Sequence, residues 1–235
     1  MDKLNWIQVL ILSCAILVAG FFIGDMHRKA KDFERHVQVK GLSEREVAAD
    51  LAVWPIEITL AGNNLKDLNA QLEYQKGEVE SFFEKMGFKP SEISIGITSI
   101  LDAKARAYGD YRNSEFRYIA KTEITIRTSE IEKIQKSLSA SLDLISKGIL
   151  IGSKNTWRPI EYIYSKLNDI KPQMIEEATK KAKEVAEKFA QDSNSKVGKI
   201  KSAKQGLFTI NDRDSNTPEI KIVRVVSTIE YYLED

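Results

Sequence analysis

The segment Asp212-Arg213-Asp214-Ser215-Asn216 sets oxygen-bearing side chains at alternate positions, as at the start of a calcium-binding loop. Such a loop needs a glycine at its sixth position and a bidentate glutamate at its twelfth, where this chain has Thr217 and Val223. Asp, Asn and Ser clusters ending in Thr-Pro also close ordinary loops between strands, by side-chain to backbone hydrogen bonds. The expectation is a turn without a dedicated metal. Tyr108-Gly109-Asp110-Tyr111-Arg112, with Arg117 and Tyr118, has the residue types of a stacking or anion site. The simpler reading is a strand surface with paired aromatic and basic residues. Lys180, Lys181 and Lys183 share their stretch with Glu176, Glu177, Glu184 and Glu187, so that basic run is a solvated helix face.

The scarce residues exclude more chemistry than the abundant ones suggest. The 235 residues include two histidines, His27 and His36, and one cysteine, Cys14. That inventory leaves no disulfide framework, Cys/His zinc site or iron–sulfur cluster. Both histidines fall in the first 36 residues, which disfavours a His-based triad. Gly-rich phosphate loops, G-x-S-x-G elbows and Walker patterns are absent. No catalytic, cofactor-binding or metal residues are therefore assigned, no cofactor is expected, and the protein is read as non-enzymatic. The rival reading, a small-ligand binder or carboxylate-dependent enzyme, has Asp212, Asp214 and Tyr108 as its candidates. Lys plus Arg is 35 against 34 for Asp plus Glu, a net charge of +1 that gives nucleic acid no broad basic field to bind.

The elements that must carry these residues begin with an apolar run. Residues 4–24, LNWIQVLILSCAILVAGFFIG, contain no charge. As a helix they would be roughly 31 Å long, close to the hydrocarbon thickness of a bilayer. Residues 1–3 are read as a short tail, 4–24 as an uncleaved transmembrane anchor and 25–35 as a charged juxtamembrane stalk. A cleaved signal peptide fits less well, because its apolar core is shorter and no clean A-x-A site follows. Lipidation at Cys14 is disfavoured because the apolar run continues nine residues beyond it. Gly20 and Gly24 form a G-x-x-x-G step that would let two such helices approach closely.

From residue 36 the pattern alternates strands with three amphipathic helices. Strands are expected at His36–Gly41, around Trp54, Ile56, Ile58 and Leu60, at Ile93–Ile97 towards Tyr108, and at Phe116–Ile126. Further strands are expected within Ile149–Leu167, at Val197–Ile210 and at Ile220–Leu233. Pro55 suggests an edge strand or a bulge. Helices are expected at about Asn64–Lys85, stopped by Gly87, and at Glu130–Lys147, stopped by Gly148. The third runs over Asp169–Gln191, with Pro172 in its first turn. The second helix should bury Ile131, Ile134, Leu138, Leu142 and Ile145, and the third Ile175, Ala178, Ala182, Val185 and Phe189. The fold class is α+β, a largely antiparallel β-sheet with three amphipathic helices, preceded by one transmembrane helix.

Val37-Gln-Val-Lys-Gly41, followed by Glu46-Val47-Ala-Ala-Asp50-Leu-Ala-Val-Trp54-Pro55, resembles the opening of SIMPL-domain proteins. The similarity continues through Lys85-Met-Gly87, the Phe116–Ile126 strand, the Ala178–Ala190 helix and Gln205-Gly-Leu-Phe208. It reaches Asp212-Arg-Asp214, Thr217-Pro-Glu-Ile220 and Val225–Tyr232, so that residues 36–235 are read as one SIMPL-like domain. The resemblance implies a β-rich α+β fold, export across the bacterial inner membrane and ring-like homo-oligomers. It implies no particular molecular role, since bacterial members are mostly uncharacterised and only loosely linked to envelope or oxidative-stress phenotypes. The chain lacks the Pro-rich insertion some relatives carry before the last strand.

These observations lead to one functional expectation: a membrane-anchored, oligomeric interaction or scaffold protein of the bacterial envelope. Its expected contacts are the membrane, through residues 4–24, further copies of itself and an unidentified protein partner. Placement is contested within the sequence. Arg28, Lys29, Lys31 and Arg35 outweigh Lys3, which favours a cytoplasmic C-terminal part. Only three residues precede the apolar run, so this rule discriminates weakly, and the resemblance favours export. The expectation is a single-pass inner-membrane protein with its C-terminal domain in the periplasm.

Overall fold

A computed structural model describes residues 6–32, 35–105, 115–152 and 160–234. The tail at 1–3, Leu4 and Asn5, and the turn and aromatic residues at 108–114 lie outside the described residues. The chain forms five helices and nine strands there: α1 (Trp6–Asp32), β1 (His36–Ala48), β2 (Leu51–Gly62), α2 (Leu65–Lys85), β3 (Ile93–Ile95), β4 (Ser99–Asp102) and β5 (Tyr118–Thr128). These are followed by α3 (Ile131–Ala140), α4 (Leu142–Ser146), β6 (Glu161–Ile163), α5 (Leu167–Asp192), β7 (Lys196–Gln205), β8 (Thr209–Asp212) and β9 (Ile220–Glu234). One sheet has the order β1-β9-β7 with β8 also on β9. The other has the order β3-β5-β2-β6 with β4 also on β5. The pairings of β5 with β2, β3 and β4, of β2 with β6, and of β7 with β9 are antiparallel. The α+β class with antiparallel sheets therefore stands.

Two parts of the expected architecture do not. Among the described residues no helix is long and apolar enough to cross a membrane, which overturns the transmembrane anchor at 4–24. The apolar run is not an element of its own. α1 continues without a break from the run through Asp25–Asp32. The count of three helices fails as well, because the expected Glu130–Lys147 helix is divided into α3 and α4 at Ser141. The Ser141 hydroxyl donates to Leu138 O at 2.7 Å, and Ser137, Ser139 and Ser146 donate back to the carbonyls four residues earlier. Serine hydroxyls that bond back to the helix compete with its ladder and bend it.

By contacts the described chain divides into two compact units. The first comprises residues 1–45, 168–210 and 223–235; the second comprises 46–167 and 211–222. In the second unit β2 and β5 pair over eleven positions, with Trp54 opposite Ile126, Ile56 opposite Ile124 and Leu60 opposite Ala120. Their shared face is buried beneath α2 through Leu68, Leu72, Val79 and Phe83. Phe83 meets Trp54 and Phe88 edge to face, with ring centroids 5.5 and 5.3 Å apart. Gly87, at φ +87°, ends α2: Gly87 N–H bonds to Glu84 O and Phe88 N–H to Phe83 O. Gly148 ends α4 by the same geometry. Both glycine stops expected from the sequence hold.

β2 as a whole is an inner strand, but at Pro55 no described strand pairs on the side away from β5. Glu57 N–H donates to Gly152 O at 2.9 Å, so the backbone nitrogens of odd-numbered residues here point away from β5. β6 covers that side only at Leu51–Val53. The missing donor of Pro55 thus falls between β6 and the Gly152 bridge, where among the described residues no ladder bond is lost. Among the described residues the strand expected within Ile149–Leu167 is represented by β6 and that bridge.

The first unit is built on contact between small residues. α5 buries Met174, Ala178, Ala182, Ala186 and Ala190, while Val185 and Phe189 are exposed, contrary to the expected face. The reason is at Gly41 of β1, where a Cβ would lie 1.8 Å from Ala178 O and 2.6 Å from Ala182 N. Strand and helix backbones meet directly, an approach that only the alanine row permits. α5 also begins at Leu167, so Pro172 is inside the helix and not in its first turn.

Candidate functional site

The Asp212–Thr217 loop begins at the end of β8 and leads to β9. Asp214 Oδ1 accepts the backbone N–H groups of Asn216 and Thr217, each at 2.8 Å, and the Thr217 hydroxyl donates to Oδ2. Arg213 Nε donates to Asp214 Oδ2 at 3.2 Å, and the same guanidinium lies 3.5 Å from Glu46. The Thr217 hydroxyl leads a set of donors that lowers the Asp214 carboxyl to about 2. Asp212 holds the buried ammonium of Lys221. Both aspartates are thus engaged by the loop and its neighbours. Among the described residues no group of three or more His, Cys, Asp or Glu could hold a metal ion.

Of the expected aromatic and basic cluster, Tyr108 to Arg112 lie outside the described residues. Arg117 and Tyr118 are adjacent, with the guanidinium 5.1 Å from the ring centroid. Arg117 also donates to Asp102 Oδ2 at 3.0 and 3.1 Å, and this bond holds the Asp102 carboxyl below its usual range. The structure does not bring Asp212 and Asp214 together with this pair.

Sequence reading missed a polar clamp in the first unit. Glu177 of α5 accepts from buried Ser43 at 2.8 Å and from Arg45, which also donates to Gln173 at 3.0 Å. Arg45 first, then Ser43, lowers the Glu177 carboxyl. Alternation along β1 places Ser43 and Arg45 on one face, but nothing in the sequence names a helix 134 residues away as their partner. Glu78 is lowered by Lys147, and Glu92 by Lys89 and Thr128 against the opposing effect of burial. Among the described residues every carboxyl with a resolved shift moves downward and remains ionised at neutral pH. A general acid needs the reverse.

The surface is more distinctive in its apolar residues. On α3 and α4, Leu138, Leu142 and Ile145 are 43%, 66% and 51% exposed, whereas Leu144 is buried. The expected stripe is already outward at Leu138 in α3, and after the break at Ser141 Leu144 takes the buried position in place of Leu142 and Ile145. A shallow groove beside the start of α3, about 540 Å³, is lined by Met86 and residues 129–133 and 136, and Glu130 pairs with Lys133 across it at 2.8 Å. α1 leaves its large apolar residues exposed from Trp6 to Met26.

A model of the SIMPL family, described as a protein of unknown function (DUF541), matches residues 37–224. The chain belongs to the SIMPL family. The match takes in parts of both compact units, beginning inside β1 and ending inside β9, and leaves α1 outside it. No curated protein matches the chain. The SIMPL domain therefore fixes kinship and not chemistry.

Proposed function

We propose that this SIMPL protein is a non-enzymatic, oligomeric interaction or scaffold protein of the bacterial cell envelope. Residues 4–24 contact the surface of the inner membrane without spanning it, and the folded part lies on the periplasmic side. The observation that carries this reading is the contrast between engaged polar groups and unpartnered apolar ones. Asp102, Glu177 and Asp214 are held by local donors, while α1 and the α3–α4 stripe leave large apolar side chains uncovered. Isolated exposed apolar residues are ordinary, but contiguous ones mark contact surfaces. The mass of the full chain, extracted in mild detergent and measured by native mass spectrometry, tests the assembly. A defined multimer is expected, and a monomer at micromolar concentration overturns it. In salt-washed cell fractions the full chain should stay with membranes, and a freely soluble full chain would count against the attachment.

A further inference from the structure

The two sheets offer four edges, and three of them are visibly defended against pairing. β7 carries Lys196, Lys199, Lys201 and Lys204, and its register on β9 shifts twice. The edge formed by β3 and β4 is interrupted. Residues 96–98 lie opposite only Thr122 and Glu123, and the extra residue leaves Ile97 95% exposed. β6 is three residues long. Lysines, bulges and shortness are the usual devices that stop one sheet from adding to another.

β1 is not short, and it carries one lysine, Lys40, against the four of β7. It is thirteen residues long, contains no proline and pairs only with β9 among the described strands. Its odd-numbered residues Val39, Gly41 and Ser43 are buried and its even-numbered residues Lys40, Leu42 and Glu44 are exposed. Among the described residues neither Lys40 nor Glu44 has an ion-pair partner. The order of these residues is self-complementary. Turned antiparallel about Leu42, a second β1 sets Leu42 against Leu42, Lys40 against Glu44 and Glu44 against Lys40. Cross-strand pairs directly opposite one another are the unit of sheet stability, and like charges there are destabilising. Such a two-fold contact presents the same patch from both partners, as isologous dimers do.

We propose that the free edge of β1 pairs antiparallel with β1 of a second copy of this chain, centred on Leu42, to make one continuous sheet. This rests on the oligomeric reading above and names its interface.

Charge reversal tests it in the full chain, in the detergent used for the mass measurement. Lys40→Glu places Glu against Glu44 twice in each pair, and Glu44→Lys does the same with lysines. Each single variant is expected to weaken the two-fold association roughly tenfold. The double variant, with both residues exchanged, restores opposite charges and is expected to recover the wild-type association. Circular dichroism of each variant should match wild type, since both side chains are exposed. In a Cys14→Ser background, Leu42→Cys should form a disulfide-linked dimer on mild oxidation. A monomeric wild type overturns the oligomeric reading itself. A multimer that persists in both single variants, or that the exchange does not restore, overturns the β1 edge and leaves oligomerisation standing.

Discussion

Asp214 holds its loop closed by accepting two backbone N–H groups and a threonine hydroxyl, donors that satisfy a carboxylate better than a carboxylic acid. Its carboxyl is therefore lowered to about 2 from 3.8. A carboxyl lowered by folding stabilises the fold above its unfolded value, and that contribution is lost as pH falls through its folded value. The loop should hold between pH 4 and 7 and loosen only as the pH approaches about 2. Carboxyl carbon shifts followed by NMR should give Asp214 a midpoint near 2, rising when Thr217→Val removes the leading donor. A midpoint at 3.8 or above in the wild type would show that the loop is not closed in this way. The departures from the calcium-loop pattern, at Thr217 and Val223, already marked this segment as a turn, because loop chemistry is local. The Glu177 clamp was not legible, because its donor Ser43 and its acceptor lie 134 residues apart in the chain.

At the level of elements, periodicity located helices more reliably than it assigned their faces. Stops at Gly87 and Gly148 depend on a left-handed residue and are visible in the chain. The face of α3 and α4 is not: Leu138 is exposed before the serine break, and beyond it Leu144 is buried while Leu142 and Ile145 are not. Leu144→Ala should therefore cost about 2–5 kcal/mol in denaturant unfolding, as for other buried leucines. Leu142→Ala, at a position 66% exposed, should stay within about 0.5 kcal/mol. Equal losses would restore the continuous helix read from spacing. The buried row of α5 was misjudged for a different reason. Bulk suggested Val185 and Phe189, but Gly41 selects alanines by bringing two backbones together. Gly41→Ala should lower stability by about 1–3 kcal/mol or more, because neither Ala178 O nor Ala182 N can give way as a flexible side chain would. A thermal midpoint equal to wild type would show that β1 does not lie so close to α5.

For the molecule as a whole, the sheet order separates strands that are neighbours in sequence: β1 pairs with β9, whereas β2 pairs with β5. Alternation revealed strands in the chain, but it carries no record of partners so far apart. If the folded part lies outside the cytoplasm, alkaline phosphatase joined after residue 235 should be active and a fluorescent protein that matures only in the cytoplasm should be dark. The opposite pair of signals would place the folded part inside.

The first unit has a further consequence for the order of events as the chain is made. Its strand β1 is synthesised early, but α5, β7 and most of β9, which cover it, belong to the final third of the sequence. Residues 46–167 of the second unit emerge in one stretch and can begin to collapse beforehand. Gly41 and its neighbours must meanwhile wait without the helix that later seals them, and closing that long loop adds entropy cost to the last step. A chain leaving the ribosome or a translocation pore would therefore carry an unsatisfied strand until nearly its last residues appear. Nascent-chain chaperones have their longest opportunity at that strand.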